Sequence, residues 1–138
     1  MIGRIFAIEK LSNSRDKETV DLLADRLGND RFYGVRIEAA QALGKIRSHE
    51  ALRALIKASE QSDARIRHRV MMEVGGWFDE HAAEFAHKVL AEEKNPEIKR
   101  YAARALGPYP DERYRDTLIA ALKSDSFDEL VADGAITA

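Results

Sequence analysis

One apolar pattern recurs along the chain at intervals of about 32 residues. The segments VRIEAAQALG (residues 35–44), IRHRVMMEVG (66–75) and IKRYAARALG (98–107) share an aliphatic residue, a basic residue and a small or apolar face at helical spacing. The same interval finds weaker copies in GRIFAIEKLS, near the start, and in LVADGAITA, at the end. Repeats of about 20–50 residues are typical of proteins in which one structural unit stacks on the next, so this period limits the fold more than any other feature.

A second helix is predicted between successive copies of the pattern. Each of its starts is marked by a residue type that accepts hydrogen bonds from free backbone N–H groups, and these residues are Asp16, Ser48, Asp79 and Asp111. Apolar residues follow at helical spacing, as at Leu23 and Leu27. The recurring pattern is itself preceded by residues of the same type, which are Asp30, Asp63, Asn95 (followed by Pro96) and Asp125.

These units predict an all-α fold, an α-solenoid or α–α superhelix of about four helix pairs with a period of about 32 residues. One helix pair cannot bury its apolar stripe alone, whereas a stack can. Alanines let neighbouring helices approach closely, and they stand at positions 39, 40, 102 and 103. The form D-x-x-[VI]-R-x-x-A-A-x-A-L-G resembles the short HEAT-like repeats that also occur in phycobilin lyases, and the resemblance covers essentially the whole chain.

Residues 1–138 are expected to form a single HEAT-like repeat domain. The chain begins and ends within copies of the recurring helix, without the polar capping repeats that finish a solenoid. We therefore expect a fragment of a longer chain, with weak self-association through its uncovered ends.

The stretch NDRFYGVRIEAAQALGKI, from Asn29 to Ile46, carries a second resemblance. It is similar to the D-P-F-W-G-V-R-x-E-A-A-x-A-L stretch in the C-terminal helical region of bacterial zinc aminopeptidases of the aminopeptidase N type. Tyr33 replaces the usual Trp and Arg31 the usual Pro, while the matching residues are Phe32, Gly34, Val35, Arg36, Glu38 and Ala39. In such enzymes the helical region implies a cap or support beside a separate catalytic domain.

No catalytic, cofactor-binding or metal-binding residues are predicted. The His-Glu-x-x-His zinc motif of that peptidase family is absent, because Arg53 of HEALR (49–53) stands where the second His is needed. His81 and His87 are six residues apart, which places them on different faces of a helix, and we expect both to be solvated. The sequence has no glycine-rich phosphate loop and no cysteine. The chain is therefore predicted not to be an enzyme and to need no cofactor.

The charge balance indicates which partners to expect. A net charge of −2 and a pI near 6.1 provide no general attraction to nucleic acid or to anionic membranes. No apolar run reaches the roughly 20 residues of a membrane span, and the N-terminus is a poor signal peptide, so we expect a soluble protein of unassigned compartment. The basic segment RIRHR (65–69) is diluted by the acidic residues of the next helix.

Basic and aromatic residues recur at the turns. Arg36, Arg67 and Lys99 occur once per repeat, and we expect them to pair internally with turn carboxylates such as Asp30 or Asp63. A charged ladder that binds an acidic partner is the alternative. Aromatic side chains at helix ends are expected to fill gaps between repeats rather than to form a binding surface, and they are Phe32, Tyr33, Trp77, Phe78 and Tyr109.

The predicted function is a non-catalytic scaffold that contacts another protein or the rest of its own parent chain, as the C-terminal part of an aminopeptidase-like protein. Outward-facing residues of the recurring helix form the expected contact surface, and they are Glu38, Gln41, Lys45, Arg69, Glu73, Arg100 and Arg104. Two alternatives stay open: a solenoid that binds the nucleic-acid backbone in a salt-dependent manner, and a lyase-type enzyme with an active concave face.

Overall fold

The computed structural model describes residues 2–11 and 15–123, and every regular element in these ranges is helical. The helices in chain order are α1 (Ile2–Leu11), α2 (Lys17–Asn29), α3 (Tyr33–Ile46), α4 (His49–Lys57), α5 (Ala64–Val74), α6 (Glu80–Glu92), α7 (Pro96–Leu106) and α8 (Glu112–Leu122), with a short 3₁₀ helix at Ala58–Glu60. The predicted all-α class is confirmed. The chain divides into two compact units, Met1–Val74 and Gly75–Ala138. That residues 1–138 form one domain stays a prediction.

Side-chain capping explains where four of the helices begin. Each predicted capping oxygen accepts a hydrogen bond from a backbone N–H of the first turn, which satisfies one of the donors that a helix start leaves free. The pairs are Asp16 with Thr19, Ser48 with Ala51, Asp79 with His81, and Asp111 with Arg113. Asn95 likewise caps α7, and Pro96 occupies its first turn as predicted.

The junction between α2 and α3 departs from the prediction. The carboxylate of Asp30 accepts a hydrogen bond from the backbone nitrogen of Phe32 at 2.9 Å, and so closes a turn rather than capping α3. Helix α3 begins at Tyr33, and Phe32 supplies no side-chain cap. The extra residues inserted at this junction separate Asp30 from the helix start. Asp125 and the last copy of the pattern lie outside the described residues.

Helix α3 is central to the first unit. It packs against α1, α2, α4 and α5. Ala39 and Ala40 are completely buried, as are Val35 and Leu43 on the same helix. Methyl side chains at two successive positions leave room for the neighbouring helices, and the larger residues fill the space between them. This arrangement is the one that the recurring pattern predicts.

Helix α6 holds the second unit together by packing against both α7 and α8. Ala102 and Ala103 of α7 are buried, and so are Ala82 and Ala83 of α6. Successive helices therefore pair through small side chains here too, as α-solenoid repeats do, and the predicted solenoid class is confirmed. Among the helices that the structure describes, none is long and apolar enough to cross a membrane.

Candidate binding sites

Five of the seven predicted contact residues lie on α3 and α5 of the first unit. The side-chain amide of Gln41 faces the carboxylate of Glu38. When the amide is oriented with its nitrogen towards Glu38, this nitrogen donates to Oε2 at 3.1 Å. Arg69 pairs with Glu73 on α5 at 3.6 Å. Lys45 is exposed, and its charge also acts on Glu73. The structure thus brings Lys45, Arg69 and Glu73 together, and their part in binding stays a prediction.

Glu73 of α5 packs directly against Gly44 of α3. Its carboxylate lies so near Gly44 that a Cβ atom at this glycine would collide with it, and the Cβ of Glu73 itself would be 3.2 Å away. Burial raises the pKa of Glu73 above its usual range, although the positive charge of Arg69 opposes this shift. The glycine that ends the pattern on α3 therefore has a packing role.

The other two predicted contact residues, Arg100 and Arg104, lie on α7 in the second unit. Their guanidinium groups are 5.2 and 5.7 Å from the ring centroid of Tyr101, within the range of a cation–π interaction. Arg100 also pairs with Glu97 at 3.5 Å. These residues form a local cluster, and its use as a contact surface is likewise untested.

Two of the recurring basic residues, Arg36 and Arg67, bind backbone carbonyls of the segments that precede their helices. The Nε of Arg36 donates to the carbonyl oxygen of Leu27 at 3.2 Å. Arg67 donates to the carbonyls of Gln61 and Ser62 at 3.1 and 2.7 Å. Carbonyls near the end of a helix lack intrahelical donors, which is why arginines there form stabilising bonds. The predicted internal role is confirmed for these two arginines, which bind backbone carbonyls, and the charge of Arg36 also acts on the turn carboxylate of Asp63.

A cleft that the sequence did not predict lies in the second unit, between the start of α6 and the turn before α8. Its volume is about 430 Å³. Aromatic rings line one part of it, from Phe78, Tyr109 and Tyr114, and charged side chains line another, from Asp79, Glu80, Asp111 and Arg113. Clefts of this size, with apolar walls and a few polar groups, are typical of binding sites.

The rings of the cleft form an ordered stack. Phe78 and Tyr109 are parallel, with centroids 4.6 Å apart and 5° between their planes, and Tyr114 meets Tyr109 edge-on at 6.1 Å. Phe78 is nevertheless 74% exposed. The prediction that this ring fills a gap between repeats is wrong, whereas for Tyr33 and Phe32, which are 51% and 38% exposed, it stays a prediction. One sequence feature could have indicated that Phe78 is exposed. It lies outside the apolar face of any predicted helix, directly before the capping residue Asp79.

The charges of the cleft are mostly negative. The Nη2 of Arg113 donates to Oδ2 of Asp111 at 2.9 Å, and its Nε donates to Oδ1 and Oδ2 at 3.2 and 3.3 Å. This hydrogen bonding holds the pKa of Asp111 below its usual range. Burial raises the pKa of Tyr114, and the nearby charges of Glu84 and Glu80 raise it further. Glu80 is exposed at the edge of the cleft.

The two histidines predicted to be solvated behave differently. His81 is exposed, but the Nε2 of His87 hydrogen-bonds the hydroxyl oxygen of Thr117. The hydroxyl oxygen of Thr117 also lies 3.0 Å from the carbonyl oxygen of Arg113, one turn earlier on α8. His87 therefore helps to fasten α8 to α6. In residues 2–11 and 15–123, no group of three or more His, Asp or Glu side chains is arranged to hold a metal ion.

Comparison with known proteins identifies the family. A family model for HEAT repeats matches residues 2–75 and 53–138. The chain belongs to the HEAT repeat family. No curated protein matches this HEAT-repeat chain. The relation to aminopeptidase N is not shown by these comparisons.

A solved structure of human deoxyhypusine hydroxylase in complex with glycerol is similar to this HEAT-repeat chain, with 25% sequence identity and a TM-score of 0.73. The similarity covers 89% of this chain and 42% of the hydroxylase chain, so this chain spans less than half the length of that enzyme. The prediction that the chain is not an enzyme is contradicted by this finding, because a structure so similar over most of the chain is that of an enzyme.

Proposed function

We propose that this chain is a HEAT-repeat module that binds a partner protein, or another part of its own parent chain, and that the aromatic cleft of the second unit is one of its binding sites. The observation that carries the proposal is the exposed ring of Phe78, which is stacked on Tyr109 at the edge of the cleft. Aromatic anchors of this kind contribute much of the binding energy in protein interfaces.

The cleft is held ready for a ligand by bonds within the protein. The hydroxyl of Tyr109 bonds the backbone on either side of Phe78, at Trp77 and Asp79, and so fixes the turn that carries the exposed ring. A partner that covers Phe78 gains the burial of a phenyl group, worth roughly 1.5–3 kcal/mol, without first having to order it.

Selection from a random peptide library on the full chain tests the proposal. We expect peptides that bind the native chain and lose at least about tenfold in affinity against Phe78→Ala, as measured by isothermal titration calorimetry. Leu22→Ala is the matched control, because Leu22 is also an exposed apolar residue, 43% accessible, but lies in the first unit. If no selected peptide distinguishes the two variants, the cleft is not a binding site.

The aminopeptidase-like context is a separate proposal. It is supported by the match of Phe32, Gly34 and Arg36 to the corresponding stretch of aminopeptidase N, which the structure places at the α2–α3 junction. A His-Glu-x-x-His motif upstream in the same reading frame is the expected observation. A reading frame that begins at this chain, or an upstream domain of another class, removes the proposal.

A catalytic role is the second candidate function, and the similarity to human deoxyhypusine hydroxylase favours it. The aromatic cleft suits such a role as well, because an enzyme must hold its substrate in a cleft. The test is mass spectrometry of a deoxyhypusine-containing peptide after incubation with the chain in air, with a chemical reductant and an added redox-active metal ion, so that O2 gives one oxygen atom to the peptide and the other is reduced to water. Gain of one oxygen atom on deoxyhypusine, and none on the matched lysine peptide, is the result expected of a hydroxylase.

A further inference from the structure

The cleft has a strong excess of negative charge. Three carboxylates line it, from Asp79, Glu80 and Asp111, against the single positive charge of Arg113 among the lining residues. Glu84 lies close enough for its charge to act on Tyr114. A ligand of complementary charge is therefore a cation.

The open ring favours a planar cation. Phe78 stacks parallel on Tyr109, so one face of its ring is covered and the other is accessible to solvent. Guanidinium groups stack on aromatic faces, and their fork of N–H donors also matches a carboxylate. Glu80, exposed in the first turn of α6, lines the same cleft as Phe78 and provides such a carboxylate.

The protein holds its own arginines in this manner. The guanidinium of Arg65 lies 3.9 Å from the ring centroid of Tyr33 and donates to both carboxylate oxygens of Asp63. Arg113 repeats the arrangement in the cleft, with Asp111 as its acceptor and the Tyr114 ring at 5.5 Å. In both cases an aromatic ring and a carboxylate together bind one arginine side chain of the protein.

From these observations we infer that the cleft binds an arginine side chain of the partner protein, with the guanidinium group stacked on the open face of Phe78 and paired with Glu80. The inference rests on the proposed protein-binding function and specifies its ligand.

An anionic ligand is the competing reading, because helices α6 and α8 both begin at the cleft and a helix N-terminus attracts anions. Both starts, however, already bind a carboxylate of the protein. Asp79 accepts from His81 N and Asp111 from Arg113 N, each at 2.8 Å. The guanidinium of Arg113 is also bound to Asp111. An incoming anion would meet these carboxylates instead of free donors.

NMR titration of the full chain tests the inference. The probes are capped tripeptides, Ala-Arg-Ala, Ala-Lys-Ala, Ala-Gln-Ala and Ala-Glu-Ala, and the readout is the ring signals of Phe78 and Tyr109. We expect saturable shifts with the arginine peptide, weaker ones with lysine, and none with glutamine or glutamate. Glu80→Gln should weaken arginine binding by about two- to five-fold, whereas Glu18→Gln, an exposed acid in α2, should not.

Equal shifts from the arginine and glutamine peptides, or stronger shifts from glutamate, would overturn the inference. The library selection separates this failure from that of the proposed function. Selected peptides that depend on Phe78 but lack arginine leave the binding role intact and exclude the arginine ligand. If no library peptide depends on Phe78, the binding role fails. Analytical ultracentrifugation of the chain at several concentrations is the control for self-association. A sedimentation coefficient that does not change with concentration excludes a second copy of the chain bound to the Phe78 ring.

Discussion

The hydroxyl oxygen of Tyr109 lies 2.9 Å from the backbone nitrogen of Asp79, and this hydrogen bond joins two turns that are 30 residues apart in sequence. The same hydroxyl is 3.1 Å from the carbonyl oxygens of Trp77 and Asp79, to one of which it donates. The hydroxyl of Tyr109 thus fixes the turn before α6, and its ring stacks against one face of Phe78.

Removing this hydroxyl should destabilise the second unit. In Tyr109→Phe the backbone nitrogen of Asp79 loses its acceptor, and we expect a loss of about 1–3 kcal/mol in the free energy of unfolding. Tyr33→Phe is the control, because Tyr33 is half-exposed and interacts with Arg65 through its ring. Its effect should stay within about 0.5 kcal/mol. Urea denaturation measures both, and equal stability of the two variants would contradict the bridging role.

The buried alanines should tolerate no charge. Ala102 of α7 is completely buried, so Ala102→Glu places an unpaired carboxylate between helices and should cost several kcal/mol. Arg104 is exposed on the same helix, and Arg104→Glu should change stability by about 1 kcal/mol or less. Circular dichroism during thermal unfolding compares them. A similar loss from both substitutions would mean that the buried and exposed faces of α7 are wrongly assigned.

The helix starts were predictable because capping is a local property. An oxygen-bearing side chain can satisfy the free N–H groups of the next turn wherever the chain enters a helix, so Asp16, Ser48 and Asp111 identify three starts from sequence alone. Asp30 was misread, because inserted residues moved the helix start to Tyr33 while the residue type stayed the same. A short polar residue caps a helix or closes a turn according to its distance from the helix start, and a difference of one or two residues decides between the two roles.

The cleft was not predictable, because its parts are brought together only by tertiary packing. Phe78 and Tyr109 are 31 residues apart, and nothing in the repeat pattern says that their rings stack or that one of them stays exposed. The carbonyl acceptors of Arg36 and Arg67 were missed for a related reason, since backbone carbonyls carry no sequence signal. The contact surface around Glu73 remains a prediction from the helical pattern.

Acid should remove the contribution of Asp63 to stability. Hydrogen bonds from the side chain and backbone of Arg65 lower the pKa of Asp63 from 3.8 to about 2. Because the folded pKa lies below the unfolded value, the stabilisation is complete above pH 3.8 and is lost as the pH falls towards 2. We therefore expect the stability difference between the native chain and Asp63→Asn, which keeps a capping oxygen, to shrink across this window.

Denaturation by urea at a series of pH values measures this difference, and carboxyl NMR gives the pKa directly. Arg65→Gln should return the pKa of Asp63 towards its ordinary value, since the largest cause of the shift is the Arg65 side chain. A stability difference that is constant from pH 5 down to 2, or an Asp63 pKa unaffected by Arg65→Gln, would show that the pair does not act as described.

Two helical glycines should respond to alanine with opposite signs. Gly28 in the last turn of α2 has no neighbour within 4 Å of an added Cβ, so Gly28→Ala should stabilise the chain by about 0.5–1 kcal/mol through helix propensity. Gly44→Ala gains the same propensity but drives a methyl group into Glu73, which is held by Arg69 on α5. We expect it to destabilise the chain by about 1–2 kcal/mol.

The cause of the loss can be isolated with a double-mutant cycle. Glu73→Ala removes the carboxylate that the new methyl group meets, so Gly44→Ala should cost less in that background, with a coupling energy of about 0.5 kcal/mol or more. Chemical denaturation of the four proteins gives the coupling. A Gly44→Ala variant as stable as Gly28→Ala would show that the Glu73 side chain moves aside without cost, and that its contact with Gly44 does not constrain the packing of α3 on α5.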